Sequence, residues 1–141
     1  EYNSIEPYPI SSSTIFSLNY TDLLHDPELT FFFNQLHQSS WNITMTLNNQ
    51  LKIHKTTIPW PTYISDVLID IIYYDAFAPN KQPELWELKN FEKAYQLLAP
   101  DGYLVTYCAQ GAFKRTLREA GFTIETLAGP PGKREMTRAW K

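Results

Sequence analysis

Residues 66–86 read DVLIDIIYYDAFAPNKQPELW. The run 66–74 is nearly all apolar and β-branched, the pattern of a strand buried on both faces of a parallel sheet. It stops on an acid, Asp75, passes through the proline-restricted loop DAFAP, and opens a helix around Pro83. A lone carboxylate at such a point is either a loop-capping turn residue or part of a site. The second reading follows because open α/β sheets take ligands just outside the carboxyl ends of their strands.

The same alternation continues toward the C-terminus. Residues 84–99 place Leu85, Leu88, Phe91, Tyr95 and Leu98 at three- and four-residue spacing, which predicts an amphipathic helix. Pro100-Asp101-Gly102 predicts a turn that ends it, and YLVTYC (103–108) a second buried strand. A helix follows over 110–120 with Gly121 at its cap, then a strand over 122–127, the loop AGPPGK, and a last strand over 134–140. The final two strands are joined by so few residues that they must run antiparallel.

Toward the N-terminus, EYNSIE predicts a short strand ended by Pro7 and Pro9, which donate no ladder hydrogen bonds. Ser11, Ser12 or Ser13 is placed to cap a helix over 14–24, and Asp26-Pro27 precedes a second helix over 28–39. Residues 41–58 alternate in two runs about Asn48-Asn49, which fits a hairpin or one strand with an awkward loop. The whole order predicts an α/β fold: a mostly parallel sheet with helices on both faces, ending in an antiparallel hairpin. That is the layout of Rossmann-like methyltransferases.

With 141 residues, 43% of them hydrophobic and 19% charged, the chain has the size and composition of one soluble globular domain. No apolar run approaches the roughly 20 residues that span a bilayer. A single cysteine, Cys108, gives no disulfide framework and predicts a cytoplasmic protein. The net charge of −3 hides an asymmetry. Residues 1–110 carry five Lys/Arg against twelve Asp/Glu, whereas residues 111–141 carry seven against three. A basic patch of that kind suits a polyanion, although it is equally the pattern of a solvated face.

Several residues stand out as chemical candidates. Glu6 ends the first strand, where an acid accepts hydrogen bonds from ribose hydroxyls in nucleoside-binding α/β folds. Asp75 is placed to hold and help deprotonate an amine, and Phe77 to stack on a base. Lys81, Lys133 and Arg134 are candidate phosphate contacts. His25, His37 and His54 are scattered, so no metal site is expected, and Ser11–Ser13 lack a nucleophile elbow. All five glycines lie at 102 or beyond, none in a GxGxxG pattern, so the glycine loop of a nucleotide site is expected to lie outside this chain.

The block DAFAPNKQPELW, the segments PDGYLVTY and AGF, and the block GKREM together resemble the tRNA wobble-uridine aminomethyl methyltransferases. YNSIEPYPI resembles that family's strand-plus-acid segment. The resemblance implies a class I methyltransferase domain lacking its first strand and glycine loop, with 1–141 its C-terminal two-thirds. It also implies S-adenosylmethionine as cofactor and the anticodon stem-loop of a tRNA as substrate, 5-aminomethyl-2-thiouridine becoming 5-methylaminomethyl-2-thiouridine. A functional link to an FAD-dependent oxidase acting on the same nucleotide is implied as well.

Position by position, the resemblance sets Glu6 on the donor's ribose and Asp75, Ala76 and Phe77 beside the methyl donor. Asp75 is also the group that meets the accepting amine. Lys81 and Trp86 fix the loop, and Phe77, Lys81, Gly132, Lys133, Arg134, Glu135 and Met136 face the nucleotide. Where the family often carries an acidic turn contacting adenine, this chain reads HKTTIPWP, leaving Thr56 or Thr57 as the substitute. Two other readings remain open: a catalytically silent RNA-binding module of the same fold, and a methyltransferase acting on another substrate.

Overall fold

Alternating apolar residues build the first sheet. In the computed structural model, which describes residues 1–141 apart from the side chain of Pro27, β1 (Tyr2–Ile5) runs parallel to β3 (Lys52–Thr56). Strand β2 (Thr44–Thr46) pairs antiparallel on the other side of β3, giving the order β1-β3-β2. The run 41–58 is therefore a hairpin, turned by the Asn48 carboxamide, which accepts from the Gln50 and Leu51 amides at 2.9 Å each.

The helix expected over 14–24 is two short ones, α1 (Ser12–Phe16) and α2 (Tyr20–Leu24). Ser11 caps the first, accepting from the Thr14 amide at 3.2 Å. Ser17 ends it, because its amide and its hydroxyl both donate to the Thr14 carbonyl, and such local bonds compete with the helical ladder. Helix α3 (Pro27–Gln38) is capped by the Asp26 carboxylate on the Glu28 amide. Lys55, buried on β3, donates to the Leu36 and Ser39 carbonyls at 2.5 and 2.9 Å and so satisfies the end of α3. Burial pulls its ammonium below the ordinary lysine range.

Residues Glu1–Tyr63 form one compact unit around this sheet, and Ile64–Lys141 form a second. In the second, β4 (Ile69–Tyr73) runs parallel to β5 (Leu98–Thr106), which pairs antiparallel with β7 (Glu135–Trp140). Strand β6 (Thr123–Ala128) closes the order β4-β5-β7-β6 with the expected terminal hairpin. The parallel pairs β1·β3 and β4·β5 thus fall in two sheets rather than one.

Helices α4 (Leu88–Leu97) and α5 (Gly111–Glu119) cover one face of the second sheet. The pleat is regular: Leu104, Thr106, Thr137 and Ala139 are buried under the helices, and Tyr103, Val105, Arg138 and Trp140 are half-buried on the other face. Phe91, Ala94, Leu98 and Leu117 are fully buried, and Trp86 meets the rings of Tyr74, Phe91, Tyr107 and Phe113. Gly121 ends α5 with φ +104°, its amide on the Arg118 carbonyl and the Phe122 amide on Leu117, the paired bonds of a left-handed helix end.

Three expectations change here. The run 66–74 is a strand only over 69–73, and Val67, Leu68 and Tyr73 are 68, 58 and 62% exposed. Among the described residues β4 pairs with β5 alone and has helices over one face, so its apolar pattern is not matched by burial on both sides. The helix expected over 84–99 is a 3-10 turn, Pro83–Trp86, then α4, separated by an extended Glu87. The Glu84 and Leu85 carbonyls, which a continuous helix would bond to its own amides, accept instead from Asn90 Nδ2 and the Tyr74 hydroxyl. The turn 100–102 lies within β5 as an irregularity, because Leu98 already pairs with Ile69.

Candidate functional site

The pleat of β4 decides what faces where. Tyr74 points inward, 6% exposed, and donates to the Leu85 carbonyl at 2.5 Å. Its burial pushes the phenol far above the ordinary tyrosine range. Tyr73 and Asp75 therefore turn to the uncovered side, and both are exposed. Beyond Asp75 the loop's successive carbonyls are each fixed. Ala76 accepts from the Tyr107 hydroxyl at 2.8 Å, Phe77 from Trp86 Nε1 at 2.7 Å, and Ala78 from the Lys81 and Gln82 amides at 2.7 and 3.1 Å. Asp75 thus sits at the root of a braced loop.

The facing wall is the hairpin loop between β6 and β7. The Gly129 amide donates to the Arg134 carbonyl at 3.1 Å and the Lys133 amide to Pro130 at 2.9 Å, with Gly132 at φ +87° between them. This fold of the loop brings Lys133 Nζ 4.2 Å above the Tyr107 ring, a cation–π contact. Asp75, Tyr73, Tyr107, Pro130, Lys133 and Met136 line a cleft of about 250 Å³. Lys133, Arg134 and Glu135 line a shallower hollow of about 520 Å³ beside it, again with Tyr107. Glu135 lies between Lys114 Nζ at 3.5 Å and Arg134 Nε at 4.0 Å.

Of the expected residues of this unit, Asp75, Lys133 and Met136 share the cleft, and Arg134 and Glu135 share the hollow. Phe77, 75% exposed, lines neither, nor do Ala76, Lys81 and Gly132. Trp86 fixes the loop through its indole, as expected, whereas Lys81 enters through its backbone.

Tyr107 is the residue that sequence reading missed. The register pairs Tyr73 with Val105, so two residues further on Asp75 and Tyr107 reach the same level of adjacent parallel strands. Burial, then Cys108, then Asp75 push the Tyr107 phenol up, which keeps it a proton donor. Cys108 itself is buried and its thiol pushed up chiefly by that burial, the condition of an inert cysteine. Among the described residues no group of three His, Cys, Asp or Glu is placed to hold a metal ion, and no helix is long and apolar enough to cross a membrane.

In the first unit, Glu6 extends the ladder past β1, its amide on the Thr56 carbonyl at 2.9 Å. One carboxylate oxygen accepts from the Tyr8 amide at 2.8 Å, and the side chain is exposed. Thr56 is 1% exposed; its hydroxyl donates to Asn42 Oδ1 at 2.8 Å and accepts from the Ile58 amide at 3.1 Å. That hydroxyl is committed to the unit's own turn, so the adenine contact expected of Thr56 has no hydroxyl proton to offer.

A family described as S-adenosyl-L-methionine-dependent methyltransferase matches residues 27–141. Among curated relatives, the tRNA 5-methylaminomethyl-2-thiouridine biosynthesis bifunctional protein MnmC of Methylibium petroleiphilum is 40% identical over 73 residues, 52% of this chain and 11% of that one. The protein of the same name from Pseudoalteromonas atlantica is 39% identical over 84 residues, 60% of this chain and 12% of that one. The matched stretches thus cover only 11 and 12% of the length of these relatives. Among solved structures, MNMC2 from Aquifex aeolicus superposes with a TM-score of 0.69 at 20% identity, over 97% of this chain and 42% of that one. A methyltransferase from Pyrococcus furiosus gives 0.53 at 18% identity, over 66% of this chain and 52% of that one. These structures share the α/β methyltransferase fold.

Proposed function

The chain belongs to the S-adenosyl-L-methionine-dependent methyltransferase family, and from that premise we propose that it methylates the aminomethyl group of a tRNA wobble uridine. The acceptor is 5-aminomethyl-2-thiouridine and the product its methylaminomethyl form. The observation that carries the reading is the cleft in which Asp75, on its braced loop, meets Lys133 and Met136 of the GKREM block. The names of the relatives, which concern biosynthesis of that nucleoside, support the substrate.

The residues suit the donor. Glu6 keeps one carboxylate oxygen clear of its bond to Tyr8, the acceptor a ribose hydroxyl requires. Asp75 brings a carboxylate and Tyr73 an exposed ring to the cleft, both groups that suit a cationic sulfonium. When bound, S-adenosylmethionine supplies an electrophilic methyl group. The chain's own work is then alignment and proton handling.

An alkylammonium has no lone pair, so Asp75 accepts a hydrogen bond from the substrate's ammonium and takes its proton, directly or through one water. The freed lone pair forms the N–C bond as the C–S bond breaks. Lys133 and Arg134 neutralise phosphates flanking the nucleotide, and exposed Phe77 offers a ring for a base. Residues 1–141 act in this reading as the C-terminal two-thirds of one Rossmann-like domain. The protein would work in the cytoplasm, after an oxidase that uncovers the amine on the same nucleotide.

The test uses the full-length protein, labelled donor, and tRNA carrying 5-aminomethyl-2-thiouridine. Label recovered in the methylaminomethyl nucleoside supports the proposal. Binding of the RNA without label transfer points to a silent RNA-binding module, and label transferred only to other amines points to a different substrate.

A further inference from the structure

Tyr107 touches both walls of the cleft. Its hydroxyl donates to the Ala76 carbonyl at 2.8 Å, one peptide beyond Asp75. Its ring lies beneath Lys133 Nζ at 4.2 Å, and its edge packs against Trp86 with centroids 6.2 Å apart. A phenol has one proton to donate, and here that proton is committed to the backbone of the loop that carries Asp75. The residue lies outside both sequence blocks that mark the site.

We propose that Tyr107 is a positioning residue for methyl transfer: one end fixes Asp75 through the Ala76 carbonyl, and the ring seats Lys133 against the acceptor's flanking phosphate. The inference rests on the function proposed above. A carboxylate that must meet one amine loses rate when its backbone drifts by a fraction of an ångström, because alignment is most of what this reaction needs. A lysine that rests on a ring loses less conformational entropy on binding a phosphate than one that starts free.

The two ends separate experimentally in the full-length protein. Tyr107→Phe keeps the ring and removes the hydroxyl; turnover should fall about tenfold with the KM for tRNA unchanged. Tyr107→Leu removes both; turnover should fall by a similar factor while the KM for tRNA rises about fivefold. Lys133→Gln should raise that KM in wild type and in Tyr107→Phe, and add little in Tyr107→Leu.

Hydrogen exchange of the segment 75–82, followed without substrate, reads the brace by itself and should be faster in Tyr107→Phe than in wild type. Wild-type turnover together with wild-type exchange in Tyr107→Phe would overturn the proposal. If the wild-type protein does not methylate this tRNA, the function falls, and the exchange measurement still decides whether Tyr107 holds the loop.

Discussion

Two strands of this chain end on an exposed carboxylate, and the two ends are built differently. Glu6 follows β1 and is steadied by its amide on the Thr56 carbonyl and by its carboxylate, which accepts from the Tyr8 amide. Asp75 follows β4, and each of the next three carbonyls is held, two of them by side chains from elsewhere in the fold. The first end is a local turn. The second is a loop over-determined by the core beneath it, through Trp86, Tyr74 and Tyr107.

The contrast matches the work assigned to each. A carboxylate that binds ribose hydroxyls tolerates small displacements, because hydroxyls rotate to meet it. A carboxylate that takes a proton during methyl transfer does not.

The comparison breaks most severely at Trp86. Trp86→Ala removes a buried ring and the bond to Phe77 together, and should cost about 3–5 kcal/mol of stability, read from the denaturation midpoint of the protein. Trp86→Phe is the sharper variant: the packing is largely kept, about 1 kcal/mol goes with the indole hydrogen bond, and turnover falls before stability does. Wild-type turnover in Trp86→Phe would mean that the brace is irrelevant to chemistry.

At the looser end, Glu6→Gln should raise the KM for the donor about tenfold, the loss expected when charge leaves a hydrogen bond to a hydroxyl. A larger effect on turnover than on donor binding would erase the distinction between the two acids. Lys133→Gln should weaken tRNA binding a few-fold and lower the slope of log affinity against log salt by about one.

The smallest effect lies at Glu125 on β6. Hydrogen bonds from Arg138 and then Trp140 hold the Glu125 carboxyl below its ordinary range. Its folded pKa lies under the unfolded one, so its contribution is present above roughly pH 4.5 and fades as acid protonates it. Glu125→Gln should flatten the acid side of the stability profile slightly and leave methyl transfer as it was.

Much of this was legible in the chain because it is local. The apolar run ending on Asp75, the Ser11 cap, the helix after Asp26-Pro27, the Gly121 helix end and the short link between the last strands all follow from neighbouring residues. What escaped depends on partners far along the chain. The break at Glu87 needs Tyr74, eleven residues before Leu85, to claim that residue's carbonyl. Tyr107 needs the β4–β5 register, since its partner Ala76 lies 31 residues away. Thr56 stood where the family often carries an acidic turn; only the packed turn shows its hydroxyl bonded to Asn42 and Ile58. The apolar pattern of 66–74 reports what the strand can bury, while the structure shows one of its faces uncovered.

The most direct test is the single-turnover rate of Asp75→Asn in the full-length protein, saturated with donor and with tRNA bearing the free aminomethyl group. Asparagine keeps the shape and hydrogen-bonding reach of the side chain and removes its charge and basicity. The account predicts a rate lower by at least about a hundredfold, with the binding of S-adenosylhomocysteine and tRNA retained. A rate within about threefold of wild type would contradict it, and would return Asp75 to the role of a residue that ends a strand.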